Sequence, residues 1–280
     1  MSKRKVPVKA YKNLDFLNSS KARPIRILAE FSEPYYRFID YKINSTIVFF
    51  GSARIKSKQT AKKELMNLVE VYKKDETREN EEKLSIARLH VRLSKYYEDA
   101  TALAKLLTTW AMDKKTGEQS YYICSGGGPG IMEAANKGAK LAGGKSIGLN
   151  ISIPMEQEPN PYITDELSFE FHYFFMRKYW FAYLAKALVI FPGGFGTLDE
   201  LMEVLTLIQT KKIQKELPIV VFGQDYWNEI IDIGAMARWG TISKKDLDLF
   251  NYVNSPEEAF TIITEFIDIH YKNNAVIKKT

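Results

Sequence analysis

Three glycine-rich runs and two side chains of opposite charge carry most of the chemical potential of this chain. The run Pro192-Gly193-Gly194-Phe195-Gly196-Thr197 follows the apolar stretch Leu188-Val189-Ile190-Phe191 and leads into helix-forming sequence. A glycine-rich turn that opens a helix bares backbone N–H groups at the positive end of the helix dipole, an arrangement suited to a phosphate. Gly193, Gly194, Gly196 and Thr197 are therefore phosphate-binding candidates. Tight strand-to-helix packing also calls for glycine, so one such loop would leave the two readings level. Two further loops strengthen the first reading: Gly51-Ser52-Ala53-Arg54 follows Ile47-Val48-Phe49-Phe50, and Ser125-Gly126-Gly127-Gly128-Pro129-Gly130 follows Tyr121-Tyr122-Ile123-Cys124. Loops that each leave a strand of one parallel sheet share its carboxyl edge, where ligands of open α/β sheets bind.

Glu200 stands one helical turn beyond the third loop, which puts a carboxylate several ångströms from a bound phosphate and suits chemistry at an attached sugar. The same letters, Thr197-Leu198-Asp199-Glu200, also spell a capping box, in which Thr197 would cap the helix and Glu200 reach back to its N–H. Spacing alone leaves both open. Arg177 and Lys178 interrupt the aromatic run from Phe169 to Tyr183, read as a helix that starts at the same sheet edge. Aromatics at helical spacing are more often core than ligand platform, yet two cations there need anionic or π partners, and Arg177 can meet a phosphate or a purine ring. His172 is either a proton carrier or packing. Glu133, at the start of the helix after the second loop, is a secondary candidate that can equally be a dipole partner.

Short apolar runs must position these residues: Ser45 to Phe50, Tyr121 to Cys124, Ser146 to Ile151, Ala187 to Phe191 and Pro218 to Phe222. They predict five buried strands. Amphipathic helical stretches separate them, which fits an α/β, Rossmann-like, doubly wound parallel sheet with helices on both faces. Residues 1–44 read as a basic tail and N-terminal helical segment, and residues 45–280 as the Rossmann-like domain with a helical insertion at about 56–117. Within the insertion a short helix spans about Ala61 to Tyr72, and Leu89, Leu93, Tyr96, Ala100, Leu103, Leu107 and Trp110 mark one long amphipathic helix. The polar run Lys73 to Lys83 between them reads as a solvated turn or frayed helix end. Pro256 to His270 predicts a closing helix with Ser255 as its cap and Pro256 at its first position.

Composition excludes several classes. With 280 residues, 45% hydrophobic and 26% charged, the chain is neither disordered nor collagen-like. Cys124 is its only cysteine, so no internal disulfide can form. His90, His172 and His270 are scattered with neither HExxH nor CxxC spacing, and no protein-held metal is expected. The net charge of +6 gathers partly in Lys3, Arg4, Lys5, Lys9 and Lys12, a solvated tail that leaves nucleic acid a minor reading. No apolar run approaches the roughly 18 residues of a membrane span, and no signal peptide is visible, so a cytoplasmic protein without membrane partners is expected. GxGxxG fails because Ile131 or Glu133 occupies its last glycine position, and the strand ending near Asn150 lacks the ribose-binding acid. NAD is not expected, and GxxxxGK[ST] is absent.

Met176-Arg177-Lys178 followed by Pro192-Gly193-Gly194-Phe195-Gly196-Thr197-Leu198-Asp199-Glu200 resembles the Lonely Guy (LOG) family, often labelled lysine decarboxylase-like. With Gly51-Ser52 and Gly126-Gly127-Gly128-Pro129-Gly130-Ile131-Met132-Glu133, the likeness covers roughly Thr46 to Phe222. The resemblance implies a phosphoribohydrolase that needs no cofactor and cleaves the N-glycosidic bond of a purine-type nucleoside 5′-monophosphate, AMP or a cytokinin riboside monophosphate. The products are the free base and ribose 5-phosphate. It implies Arg177 and Glu200 as the catalytic pair, and a substrate site of Gly51, Ser52, Gly126, Gly127, Gly128, Met176, Lys178, Gly193, Gly194, Gly196 and Thr197. It also implies a homodimer or higher homo-oligomer. The family has a histidine just after the methionine of its M-H-x-R-K motif, whereas Met176 here directly precedes Arg177. The alternative on the same fold is a non-catalytic carrier of a purine nucleotide or pterin-type cofactor. Pyridoxal phosphate chemistry is not expected, because no lysine sits in a recognisable Schiff-base setting.

Overall fold

The computed structural model describes residues 7–113, 115–154 and 158–272. Lys3, Arg4 and Lys5 of the basic tail lie outside them. Among the described residues the strands are β1 (Thr46–Phe50), β2 (Tyr122–Ser125), β3 (Ser146–Ile151), β4 (Ser168–Phe171), β5 (Ala185–Ile190), β6 (Ile219–Phe222) and β7 (Asn251–Val253). Every pairing is parallel, in the order β4-β3-β2-β1-β5-β6-β7. This is the doubly wound α/β, Rossmann-like sheet that the alternation of apolar runs and helices requires.

Seven strands replace the five expected. The two extra ones, β4 and β7, are the sheet's edges. They were missed because edge strands are short and half solvated: β4 alternates inward Phe169 and Phe171 with Ser168 and Glu170, and β7 has three residues. The run from Phe169 is accordingly a strand before it becomes a helix.

The helices are α1 (Leu14–Asn18), α2 (Arg23–Asp40), α3 (Lys58–Lys74), α4 (Arg78–Ala111), α5 (Ile131–Leu141), α6 (Phe174–Leu184), α7 (Phe195–Gln209), α8 (Gln224–Ile230), α9 (Ile233–Arg238) and α10 (Pro256–Ile267). Two apolar layers flank the sheet. One joins Phe38 of α2, Trp180 and Phe181 of α6, and Leu201 and Val204 of α7 to the inner face. The other joins Leu103 and Leu107 of α4, Ala134 and Ala135 of α5, and Ile263 of α10 to the opposite face. The insertion is the pair α3 and α4. Only Asp75 to Thr77 breaks it, and Arg78 to Lys83 form the first turns of α4 rather than a solvated link. Thr77 caps that helix through its hydroxyl, which accepts from Asn80 N. At the end of the chain Ser255 caps α10, accepting from Glu258 N, with Pro256 in the first turn.

Strands β1 to β4 run outward to one edge and β5 to β7 to the other, so the chain changes direction between β1 and β5. A crevice at the carboxyl ends of these two strands is the expected consequence. Among the described residues no helix is long and apolar enough to cross a membrane.

Candidate active site

A crevice of about 260 Å³ opens at that switch point, lined by Phe50, Gly51, Ser52, Ala53, Arg54, Gly126, Met132, Arg177, Phe181, Gly194, Gly196, Thr197 and Glu200. Its three walls are tied together by backbone. Ser52 N donates to Pro192 O at 3.0 Å, joining the first loop to the third, and Ile131 N donates to Ser52 O at 3.1 Å, joining it to the start of α5. This closeness demands glycine at position 130, where φ is +71° and a Cβ would lie 2.3 Å from Ser52 O.

Gly194 and Gly196 are different. A Cβ at either would meet nothing within 4 Å, so packing does not explain them, and the space in front of them is the crevice itself. Helix α7 starts at Phe195 with no side-chain cap, so no capping side chain occupies its first amides. That start also removes the capping-box alternative. Thr197 lies inside the first turn, its N–H bonded to Gly194 O, and Glu200 faces Arg177 instead of reaching back.

Arg177 comes from α6, which enters the crevice from β4. Arg177 Nη2 lies 3.8 Å from Glu200 Oε1, and both side chains are mostly buried. The guanidinium carbon sits 5.3 Å from the Phe174 ring centroid and 5.6 Å from that of Phe181, while Nε is buried without a hydrogen-bond partner. Burial pushes the Glu200 carboxyl up to about 7, against the pull of the Lys178 and Arg177 charges. Burial also lowers the Arg177 pKa, against the opposing pull of Glu200, Asp199 and Glu170. A carboxyl poised near neutrality beside a cation can take or hold a proton at physiological pH.

The structure brings Gly51, Ser52, Gly126, Gly194, Gly196, Thr197, Arg177 and Glu200 into one lining and places the other predicted residues behind it. Lys178 is engaged by Asp199 at 2.8 Å and Glu203 at 2.7 Å. Met176 is in the apolar layer. Gly127 and Gly128 are buried, their carbonyls held by Asn160, whose Nδ2 donates at 3.0 and 3.1 Å. Gly193 accepts from the Tyr226 hydroxyl through its carbonyl, and a Cβ there would meet Thr197. Glu133 turns toward α4, where Tyr97 Oη donates to it at 2.5 Å. His172 is exposed and outside the lining.

Sequence reasoning missed Phe50, Ala53, Arg54, Met132 and Phe181 as lining residues. Phe50 precedes the first glycine loop and Ala53 and Arg54 close it, Met132 follows the second, and the aromatic run contained Phe181, so proximity to the loops was the usable signal. Glu30 of α2 was also missed. Its carboxylate accepts from His172 N at 2.8 Å and Tyr173 N at 3.2 Å, and its carbonyl accepts from Trp180 Nε1 at 3.0 Å, so α2 fixes the entry of the helix that carries Arg177.

Fold and site together define a Rossmann-like α/β protein with an uncapped helix start beside a buried arginine–glutamate pair. Residues 132–263, just under half of the chain, match the family model described as "Possible lysine decarboxylase". A segment is 31% identical over 119 residues to the pyrimidine/purine nucleotide 5′-monophosphate nucleosidase of Escherichia coli (strain K12), covering 38% of this chain and 25% of the relative. The match thus spans about a quarter of that relative's length. Among solved structures, the structural-genomics target TM1055 aligns at 18% identity and TM-score 0.46, covering 79% of this chain and 99% of that one. The molybdenum cofactor carrier protein of Chlamydomonas reinhardtii aligns at 16% identity and TM-score 0.44, covering 80% of this chain and 98% of that one. Among the described residues the lining of this crevice contains no lysine.

Proposed function

We propose that this protein hydrolyses the N-glycosidic bond of a purine-type nucleoside 5′-monophosphate, AMP or a cytokinin riboside monophosphate, to free base and ribose 5-phosphate. The observation that carries the reading is the buried pair Arg177–Glu200 one helical turn from the uncapped start of α7. A phosphate at Gly194, Gly196 and Thr197 leaves its sugar beside the carboxylate. Glycosidic cleavage passes through an oxocarbenium-like state. Glu200 takes a proton from water as its oxygen bonds to C1′ and stabilises the positive charge on the sugar. Arg177 stabilises the electron pair that leaves with the base as the C1′–N bond breaks, and the proton Glu200 took from water is passed on to that base, which returns Glu200 to its carboxylate. The nucleosidase likeness supports this reaction class.

A second copy of the chain fits the exposed aromatic face of α2 and α6. Phe31 of α2 and Tyr179 and Tyr183 of α6, the helix that carries Arg177, are partly exposed and lie in ring contact along it. Sedimentation equilibrium of the intact chain tests this, and a monomer at micromolar concentration overturns it.

The experiment that tests the reaction is chromatographic detection of free base from AMP, GMP, CMP, UMP and isopentenyladenosine monophosphate, with wild type and Glu200→Gln side by side. Wild type releases base from a purine nucleotide, and the variant is slower by about 10²- to 10⁴-fold. Nucleotide binding without release from any substrate overturns the hydrolase and leaves the carrier.

A further inference from the structure

The hydrolase reading requires the crevice to hold a phosphate carrying roughly −1.5 to −2 charges at neutral pH. The start of one helix supplies only about half a positive charge. Neither cation nominated from the sequence makes up the difference. Arg177 faces Glu200, and Lys178 is held by Asp199 and Glu203.

Arg54 lines the same crevice as Gly194, Gly196 and Thr197, is exposed, and has no side-chain hydrogen bond or ion pair among the described residues. Its backbone is fixed. Arg54 N donates to Ser52 Oγ at 3.1 Å, and Ser52 is itself held by Pro192 O and Ile131 N. Gly130 lets α5 approach so closely that Ser52 and Ala53 are braced from below. An exposed arginine without a side-chain partner among the described residues therefore stands on a hydrogen-bonded turn that lines a crevice whose other wall is an uncapped helix start.

We propose, on the basis of that reading, that Arg54 is the second anchor of the substrate's phosphate and makes the crevice select a 5′-phosphorylated sugar over the plain nucleoside. The guanidinium fork gives two parallel hydrogen bonds to phosphate oxygens, a geometry that an ammonium lacks.

Ribose 5-phosphate, which contains no bond to cleave, separates binding from turnover. Calorimetry of ribose 5-phosphate, AMP and adenosine with wild type, Arg54→Ala and Arg54→Lys is the test. Arg54→Ala is expected to weaken ribose 5-phosphate and AMP alike by about 10- to 100-fold, leave adenosine unchanged, and keep the melting temperature of the wild type. Arg54→Lys recovers part of the loss. In turnover KM rises while kcat holds. Equal loss for adenosine would make Arg54 a base contact and overturn the proposal, as would unchanged affinity for ribose 5-phosphate or its failure to bind wild type. If the wild type releases no base yet Arg54→Ala still loses only the phosphorylated ligands, Arg54 stands and the hydrolase falls.

Discussion

Helices α6 and α7 are joined by two ionic contacts that are neighbours in sequence and opposite in character. Lys178 meets Asp199 and Glu203 at 2.8 and 2.7 Å, its partners reaching into solvent. One residue earlier, Arg177 stands 3.8 Å from Glu200, both are mostly buried, and Arg177 Nε has no partner. The first contact is satisfied and has nothing left to offer a substrate. The second is desolvated and slack, an expensive state for charges that have no function. Perturbed and incompletely paired groups in a cleft mark where chemistry occurs, whereas well-paired ones beside them hold the geometry.

Glu200→Gln tests this contrast most strongly, because the same substitution that slows the reaction should relieve the fold. Burial raises the Glu200 carboxyl from 4.5 to about 7. The folded state therefore holds its proton longer than the unfolded chain. Its contribution to stability is fully present below about 4.5 and is lost as pH rises to about 7, a difference on the order of 3 kcal/mol. Glutamine has no proton to lose. Denaturant midpoints of wild type and variant across pH 4.5 to 8 are expected to diverge as pH rises, with the variant ahead at pH 8. Parallel profiles would show that Glu200 is as well satisfied as the Lys178 contact.

The brace from α2 comes next in size. Glu30→Ala removes the acceptor for two backbone N–H groups at the entry of α6 and is expected to cost about 1–2 kcal/mol, with kcat falling as Arg177 loses its fixed approach. Glu30→Gln, which keeps one acceptor oxygen, recovers part of both. Thermal melts read beside turnover decide the matter, and a stability loss with unchanged kcat would confine Glu30 to the fold.

Legibility in the sequence followed the range of the interaction. Each glycine loop was readable because an apolar run, a turn and a helix lie within about a dozen residues, and that local pattern fixes both the strand and its carboxyl edge. The edge strands β4 and β7 were not, since Glu170 in one and three residues in the other leave no continuous apolar run. Glu30 gave no signal at all, because its partners lie 142 and 143 residues away. Glu200 was readable as a residue but not as a role. Whether it caps or faces Arg177 depends on α7 starting at Phe195 instead of Leu198, a shift of three residues that spacing does not encode.

Lys178→Met is the smallest perturbation and the sharpest discriminator between holding and touching. Its partners are largely solvated, so the stability cost should stay near or below about 1 kcal/mol. The effect on Glu200 is electrostatic. Lys178 is the strongest influence opposing the rise of that carboxyl, and its removal also leaves Asp199 and Glu203 uncompensated, which acts in the same direction. The rising limb of kcat/KM against pH, expected near 7 in wild type, should therefore move to higher pH. The substrate phosphate, ionising near pH 6, supplies a separate limb that stays in place. A displaced limb with kcat recovered at high pH makes Lys178 a positioning residue that tunes Glu200 across the helix pair. A fall in rate at every pH with the limb unmoved would mean that Lys178 leaves Asp199 and Glu203 to meet the substrate, and the difference between the two contacts would vanish.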